Sequence, residues 1–326
     1  MPRPPDELVG DGILLVDKPG GLTSHDVVAR CRRICGTRKV GHAGTLDPMA
    51  TGLLVVGVNR ATRLLTFLVG CDKRYEATIR LGCDTTTDDA DGDVLSIADT
   101  SSLRDDEIDT AVASLRGDIA QVPSAVSAIK VDGVRAHARV RAGEKVELAA
   151  RQVRVHRFEV LARRDVATEG GPAAGGAATE RRQIDLDVVV DVSSGTYVRA
   201  LARDLGERLG VGGHLTALRR TRVGRFDVAR AATLPLLEQC RAEAAPGTSG
   251  LPLVDLAHAA AAAMPTWSLD AEAARLLGHG VRLPAPHLGF SGPVAACDPA
   301  GALIAVVEEA GARVDVRAVF AGRERG

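Results

Sequence analysis

The chain alternates between uninterrupted apolar runs and segments with a two-residue or helical period. Ile13-Leu14-Leu15-Val16 and Leu53-Leu54-Val55-Val56 contain no polar position, the character of short buried strands. Lys18-Pro19-Gly20-Gly21 ends the first, a turn signal. Thr23 and Ser24 are N-cap candidates, and Val27, Val28, Cys31 and Ile34 then recur at helical spacing with arginines between them. Tyr75 to Gly82 alternates and predicts a strand, the acidic stretch after it predicts a loop, and Asp105 to Leu115 a helix. Strands are expected at Arg151–Leu161 and Ile184–Val192, the second alternating apolar and acidic residues, and a helix at Thr196–Leu209. Ala167 to Thr179 reads as a Gly/Ala-rich insertion and Ala244 to Gly250 as a linker. Beyond it come an Ala-rich helix, one holding Leu276 and Leu277, and a strand at Leu303–Glu308. Strands and helices mixed without regular βαβ alternation imply an α+β fold.

At 326 residues the chain has material for two domains. Residues 1–12 are Pro-rich and polar, expected to be a flexible leader with no apolar core of a secretory signal. No run approaches the ~18 apolar residues of a membrane span, so no membrane association is expected. The six cysteines are scattered and form no CxxC pair, which argues against a disulfide framework or zinc site and for a reduced, cytoplasmic protein.

The net charge of −1 hides segregation. Residues 13–80 hold 11 Lys/Arg against 5 Asp/Glu, residues 84–111 hold 1 against 10, and residues 116–164 again 11 against 5. Basic blocks of this kind can bind nucleic acid when gathered on one face, or merely solvate a surface.

Neither G-x-x-x-x-G-K-[ST] nor G-x-G-x-x-G occurs, which removes the common nucleotide-binding loops. Asp89-Ala90-Asp91-Gly92-Asp93 imitates a calcium loop, but its glycine is misplaced and Thr100 stands where a bidentate Glu is required. The most informative stretch is Gly41-His42-Ala43-Gly44-Thr45-Leu46-Asp47-Pro48-Met49-Ala50-Thr51-Gly52. Its glycines allow close approach of a ligand. Taken alone, Asp47-Pro48 reads first as a helix N-cap with proline at N1. The two tyrosines, Tyr75 and Tyr197, each sit beside cations, where a ring can stack on an unpaired base or simply fill a sheet.

These blocks resemble, in order, the TruB family of tRNA pseudouridine-55 synthases. Lys18-Pro19-Gly20-Gly21-Leu22-Thr23-Ser24-His25, the Gly41–Leu54 stretch, Lys73-Arg74-Tyr75, and Leu81-Gly82 with Asp89-Ala90-Asp91-Gly92 carry the likeness. Gln121-Val122-Pro123, Gly195-Thr196-Tyr197-Val198-Arg199 and Gly213-His214-Leu215 through Arg220 complete it, across about residues 12–225. The resemblance implies a mixed, largely antiparallel sheet in a catalytic domain over 13–245, with a small β-rich, PUA-like RNA-binding domain at 251–326. It implies isomerisation of the T-loop uridine of tRNA by base flipping, without metal or organic cofactor. It gives Asp47 the role of nucleophile, places Tyr75 against the uracil as stacking group and base, and makes Arg199 the ion-pair partner of Asp47. Tyr197 and Leu218 would line the uracil pocket, and His42 would hold the T-loop open. Lys18 and Asp89 join the expected substrate-binding set. Departures, such as Ser124 and Val126 where the family often has proline and tyrosine, or His137 for an aromatic, fall away from the nucleophile. The expected partner is the tRNA T-arm, met by a monomer that needs no other protein. Two alternatives remain at this stage: an RNA-binding or tRNA-folding protein without essential catalysis, and the catalytic subunit of a guide-RNA ribonucleoprotein. Removal of the C-terminal segment is expected to weaken RNA binding and spare the catalytic step.

Overall fold

A computed structural model describes residues 9–124, 130–131, 134–135, 148–168, 181–245, 248–287 and 289–321. The chain divides into two compact units, Met1–Cys71 with Arg222–Gly326, and Asp72–Thr221. In chain order come β1 (Gly12–Lys18), α1 (Ser24–Cys35), β2 (Val40–Ala43), β3 (Thr51–Val58) and the short α2 (Leu65–Val69). Then follow β4 (Lys73–Leu81), β5 (Cys83–Thr85), β6 (Val94–Ile97), α3 (Asp105–Ser114) and β7 (Gly117–Gln121). Two-residue strands β8 (Lys130–Val131) and β9 (Val134–Arg135) precede the long β10 (Arg151–Thr168) and β11 (Arg181–Val192). Next are α4 (Val198–Arg208), β12 (Gly213–Val223), β13 (Phe226–Asp227), β14 (Ala232–Thr233) and α5 (Leu234–Ala242). The last stretch holds α6 (Leu256–Ala261), β15 (Thr266–Ser268), α7 (Ala271–Gly278), β16 (Val294–Cys297), β17 (Leu303–Ala310) and β18 (Arg313–Val319).

In the first unit β1 runs antiparallel to β3, from Gly12 opposite Val58 to Lys18 opposite Gly52, and parallel to β14. Both strands are covered on both faces, which is why their apolar runs are uninterrupted. Ile13, Leu15, Leu53 and Val55 join a core with Leu64, Leu65 and Leu68. Leu14, Val16, Leu54 and Val56 pack instead with Val27, Val28 and Cys31 of α1 and Leu234 and Leu237 of α5. Helix α1 starts at a capping box: the Asp26 N–H donates to Thr23 Oγ1 at 3.1 Å, and the Thr23 N–H returns to Asp26 Oδ2 at 2.9 Å.

The C-terminal segment is β-rich, with strand order β15-β16-β17-β18. Its central strands, β16 and the first part of β17, are covered on both faces. Val294, Ala296, Ala305 and Val307 pack with Ala274 and Leu277 of α7. Ala295, Cys297, Leu303, Val306 and Phe320 join the same core as Ile13 and Leu53. Ile13 and Val254 exchange two backbone hydrogen bonds of 2.8 Å, and Arg63 donates to the Val319 carbonyl at 2.9 Å. Residues after 250 therefore complete a core begun at residue 13.

The second unit is built on strands in the order β12-β4-β11-β10-β7. β4 and β11 are antiparallel, with Arg74 opposite Asp191, Thr78 opposite Asp187 and Arg80 opposite Asp185. These directly facing residues bond: Arg74 and Arg80 each grip their aspartate through two nitrogens at 2.7 and 2.8 Å, and Thr78 donates to Asp187 at 2.8 Å. Arg164 of β10 also holds Asp187. The acidic alternation of β11 is thus one side of a cross-strand ladder, while Ile184, Leu186, Val188 and Val190 supply the buried face.

Three expectations change. Of the leader, Val9 is buried and its carbonyl accepts from Asn59 at 2.8 Å, while Asp11 pairs with Arg60. The acidic loop contains the hairpin β5–β6, whose second strand is nearly all exposed and so shows no period. Strand β10 runs on to Thr168, through half-exposed and exposed residues. The Gly/Ala-rich insertion lies, after that strand ends, outside the described residues, as do Val126 and His137.

Ending the chain at Gly250 should strip Leu303, Val306 and Phe320 from the shared core. At about 1.5–3 kcal/mol per buried apolar side chain, the loss is comparable to a whole domain's stability. The fragment should melt far below the full chain or aggregate on size-exclusion chromatography. The ladder makes a second prediction. The hydrogen bond from Arg164 holds Asp187 below its ordinary 3.8. A depressed folded pKa adds stability that is full above the unfolded value and is lost as pH falls through the folded one. Asp187→Asn should therefore lower the thermal midpoint at pH 7 and flatten its decline below about pH 4.

Candidate active site

Asp47 lies, half-buried, in the loop that joins β2 to β3. The helix that would make it an N-cap does not form, since the chain re-enters a strand at Thr51. A single turn, with the Ala50 N–H on the Asp47 carbonyl at 3.1 Å, closes the loop. Its neighbours are fixed on both sides. Before Asp47, Leu46 bonds twice to the buried Ser24 hydroxyl: its N–H donates at 2.9 Å and its carbonyl accepts at 3.2 Å. After it, the Pro48 carbonyl accepts from the Gly21 N–H at 2.8 Å and from Lys18 Nζ at 3.1 Å. Lys18 has no exposed surface, and its ammonium also donates to the carbonyls of Pro19 at 2.9 Å and Leu22 at 2.7 Å. Gly44 takes φ +85°, a turn that disfavours any side chain there. His42, on β2 opposite Val56, meets the His25 ring edge-on at 5.6 Å.

The other predicted residues belong to the second unit. Tyr75 is buried on β4 opposite Val190. Leu218 is buried on β12. Tyr197 stands at the start of α4, where the side chain of Gln121 replaces a cap: Oε1 accepts from the Tyr197 N–H at 2.8 Å and Nε2 donates to its carbonyl at 3.0 Å. Two residues on, Arg199 is buried and pairs with Asp89 at 3.3 Å, both side chains about 95 % covered. Its Nη1 also donates to the Thr87 carbonyl at 2.8 Å and to Ser124 at 3.3 Å. One turn along α4, Arg203 reaches Asp88 at 3.2 Å and the Val122 carbonyl at 2.7 Å. Burial pushes the Asp88 carboxyl above its ordinary value, against the pull of Arg203. Near its C-terminal end α4 packs against the turn that leads into β12, which Gly206 permits: a Cβ there would lie 2.1 Å from the Gly212 carbonyl carbon.

Lys18, His42 and Asp47 are thus held in the first unit, and Tyr75, Asp89, Tyr197, Arg199 and Leu218 in the second. Asp89 is the acid that imitated a calcium loop; its carboxylate is committed to Arg199, to Thr87 Oγ1 and to the Asp91 N–H. Ser24, Gln121, Ser124, Asp88 and Arg203 were not singled out as site residues in the sequence. For Arg203 a signal existed, an i, i+4 pair of arginines facing two adjacent aspartates.

Residues 32–198 match the model for the TruB family pseudouridylate synthase N-terminal domain. The chain belongs to that family. Residues 199–251 match the tRNA pseudouridylate synthase B C-terminal domain, and 264–321 the tRNA pseudouridine synthase II C-terminal model. Among TruB relatives, tRNA pseudouridine synthase B of Rhodococcus jostii is 56% identical over 95% of this chain and 94% of that protein. The enzyme of the same name from Nocardia farcinica is 55% identical over 97% and 94%. Among solved structures, a Cbf5-Nop10-Gar1 complex has a chain with TM-score 0.70 at 27% identity, covering 96% of this chain and 86% of that one. A second, an H/ACA RNP bound to a substrate RNA containing 2′-deoxyuridine, gives 0.68 at 25%, covering 96% and 86%. No helix among the described residues is long and apolar enough to cross a membrane.

Asp89→Asn should leave the Arg199 guanidinium buried beside a neutral amide. Breaking one side of a buried pair costs about 3–5 kcal/mol, so the variant should unfold at markedly lower urea, read as a shifted midpoint with an unchanged slope.

Proposed function

We propose that the chain converts a uridine in the T-loop of tRNA to pseudouridine, with Asp47 as the nucleophile. The observation that carries this reading is a carboxylate set in a loop whose preceding and following residues are both anchored, in a chain that belongs to the TruB family over most of its length. Anchoring of that kind is what a nucleophile needs and what a merely solvated surface aspartate does not. The product is an isomer of the substrate, so the reaction balances without a co-reactant. The C1′–N1 bond breaks, the uracil turns, a C1′–C5 bond forms, C5 gives up its proton and N1 takes one.

The target base has to leave its stack, at a cost of a few kcal/mol. Tyr75 is assigned to stacking on it and to accepting the C5 proton, with Tyr197 and Leu218 as pocket walls and His42 as a T-loop contact. Arg199 is assigned to keeping the nucleophile ionised. The buried positions of Lys18 and Asp89 favour positioning roles over contact with RNA, Lys18 for the Asp47 loop and Asp89 for Arg199. The likeness to a chain of an H/ACA RNP keeps a second reading in view, a catalytic subunit that depends on guide RNA and partners. The tRNA pseudouridine synthase B relatives, at twice that identity, favour an enzyme that works alone.

Purified protein incubated with unmodified tRNA transcript, without guide RNA, should place pseudouridine in the T-loop, read by chemical mapping. Asp47→Asn should bind the transcript normally and fall below about one per cent of wild-type turnover, a hundredfold being about 2.7 kcal/mol. Tyr75→Phe should keep the stack and lose turnover if the hydroxyl takes the proton; normal turnover would remove it from the mechanism.

A further inference from the structure

We infer that Ser24 is a positioning residue for the nucleophile, acting through Leu46. The inference rests on the assignment of Asp47 above. Ser24 is the first residue of α1, and its place there needs no hydroxyl: the helix is already capped by Thr23 and Asp26. The Ser24 hydroxyl is instead turned across the chain, 22 residues on, to the peptide groups of Leu46. It donates to the Leu46 carbonyl and accepts the Leu46 N–H, and the residue has no exposed surface.

That double contact fixes more than a position. One oxygen bonded to both the N–H and the C=O of a residue defines the orientation of the peptide units on either side of it. The Leu46 carbonyl belongs to the Leu46–Asp47 peptide, so the plane from which the Asp47 Cα departs is set by Ser24. On the far side the Pro48 carbonyl is held by Gly21 and Lys18, both upstream of the same helix. The segment 18–24 therefore grips the nucleophile's backbone at two points, and the Ser24 contact is the one made to the peptide that leads into Asp47. Leu46 itself is buried, so its side chain anchors the same point against translation while the hydroxyl resists rotation.

Removing the hydroxyl leaves both Leu46 groups buried with a partner lost, free to rotate the peptide and swing the carboxylate. A misplacement of about 1 Å at a reacting group costs up to about a hundredfold in rate. Ser24→Ala should therefore lower kcat between about 10- and 100-fold while KM and the dissociation constant for tRNA transcript stay within about twofold. Ser24→Thr, which keeps the hydroxyl, should restore kcat to near wild type. Thr23→Ala is the control: it removes the helix cap, costing about 1 kcal/mol, and should lower the thermal midpoint without changing kcat. If the alanine variant fails to fold, Ser24→Cys fills the same space with a weak hydrogen-bonding group and should show the same kcat loss.

Wild-type kcat in folded Ser24→Ala or Ser24→Cys would overturn the inference. So would an equal fall in kcat for Thr23→Ala, since the effect would then be general loss of helix α1. The two levels separate cleanly. Normal turnover by Asp47→Asn would remove the nucleophile assignment itself, whereas a dead Asp47→Asn beside a fully active Ser24→Ala would remove only the role of Ser24.

Discussion

A cation withdrawn from water has to be surrounded by oxygens, and both loops that carry the proposed chemistry are organised by that demand. Desolvating an ammonium or guanidinium costs several kcal/mol unless acceptors converge on it. Lys18 is fully buried, and three carbonyls, up to 30 positions away from it in sequence, turn toward its ammonium. Satisfying Lys18 thereby decides where Pro48 lies. Arg199 repeats the logic on a helix: the Thr87 carbonyl, the Ser124 hydroxyl and the Asp89 carboxylate come to it from two loops. In each case the expensive group is the interior one, and its neighbours inherit a geometry they would not otherwise hold.

The strands beneath these loops supply the rigidity that such an arrangement presupposes. β1 and β3 are sealed on both faces, and Lys18 is simply the last residue of β1. A cation at the end of a strand with two dry faces cannot escape to solvent without breaking the strand pairing. In the second unit the sheet is sealed on one face by aliphatic side chains and tied on the other by bidentate arginine–aspartate pairs. Tyr75 sits on the aliphatic face one residue from Arg74, so the ladder fixes its register without taking part in its surroundings.

Much of this was legible in the sequence because burial writes a simple pattern. The runs at 13–16 and 53–56, the capped helix after Thr23, and the alternation of β4 and β11 all follow from one face or two being dry. The hairpin in the acidic segment was not legible: Val94, Leu95 and Ser96 are exposed, and a strand with no buried face has no period to read. The end of β10 was missed for the same reason. Asp47 was ambiguous locally, since aspartate before proline favours a helix start in isolation. What overrides that preference is tertiary: the Pro48 carbonyl is required by Gly21 and Lys18, and the strand at Thr51 leaves no length for a helix. Only the ordered set of motifs, read as a family resemblance, singled out the carboxylate.

The C-terminal segment illustrates a limit of a different kind. Its own core, around Leu277 and Val307, is the sort of cluster that marks an independent domain, and the linker composition before it points the same way. Yet alternate residues of the same strands, Ala295 and Val306, complete the core under β1. Central strands with one face inward to a helix and the other inward to a neighbouring strand pair have no solvent face to advertise a boundary. Sequence reports the change of composition at 244–250, while the apolar surface that a cut there would expose is contributed from both sides of it. The segment therefore stabilises the strands that carry Lys18 and the Asp47 loop, whatever contacts it makes with RNA.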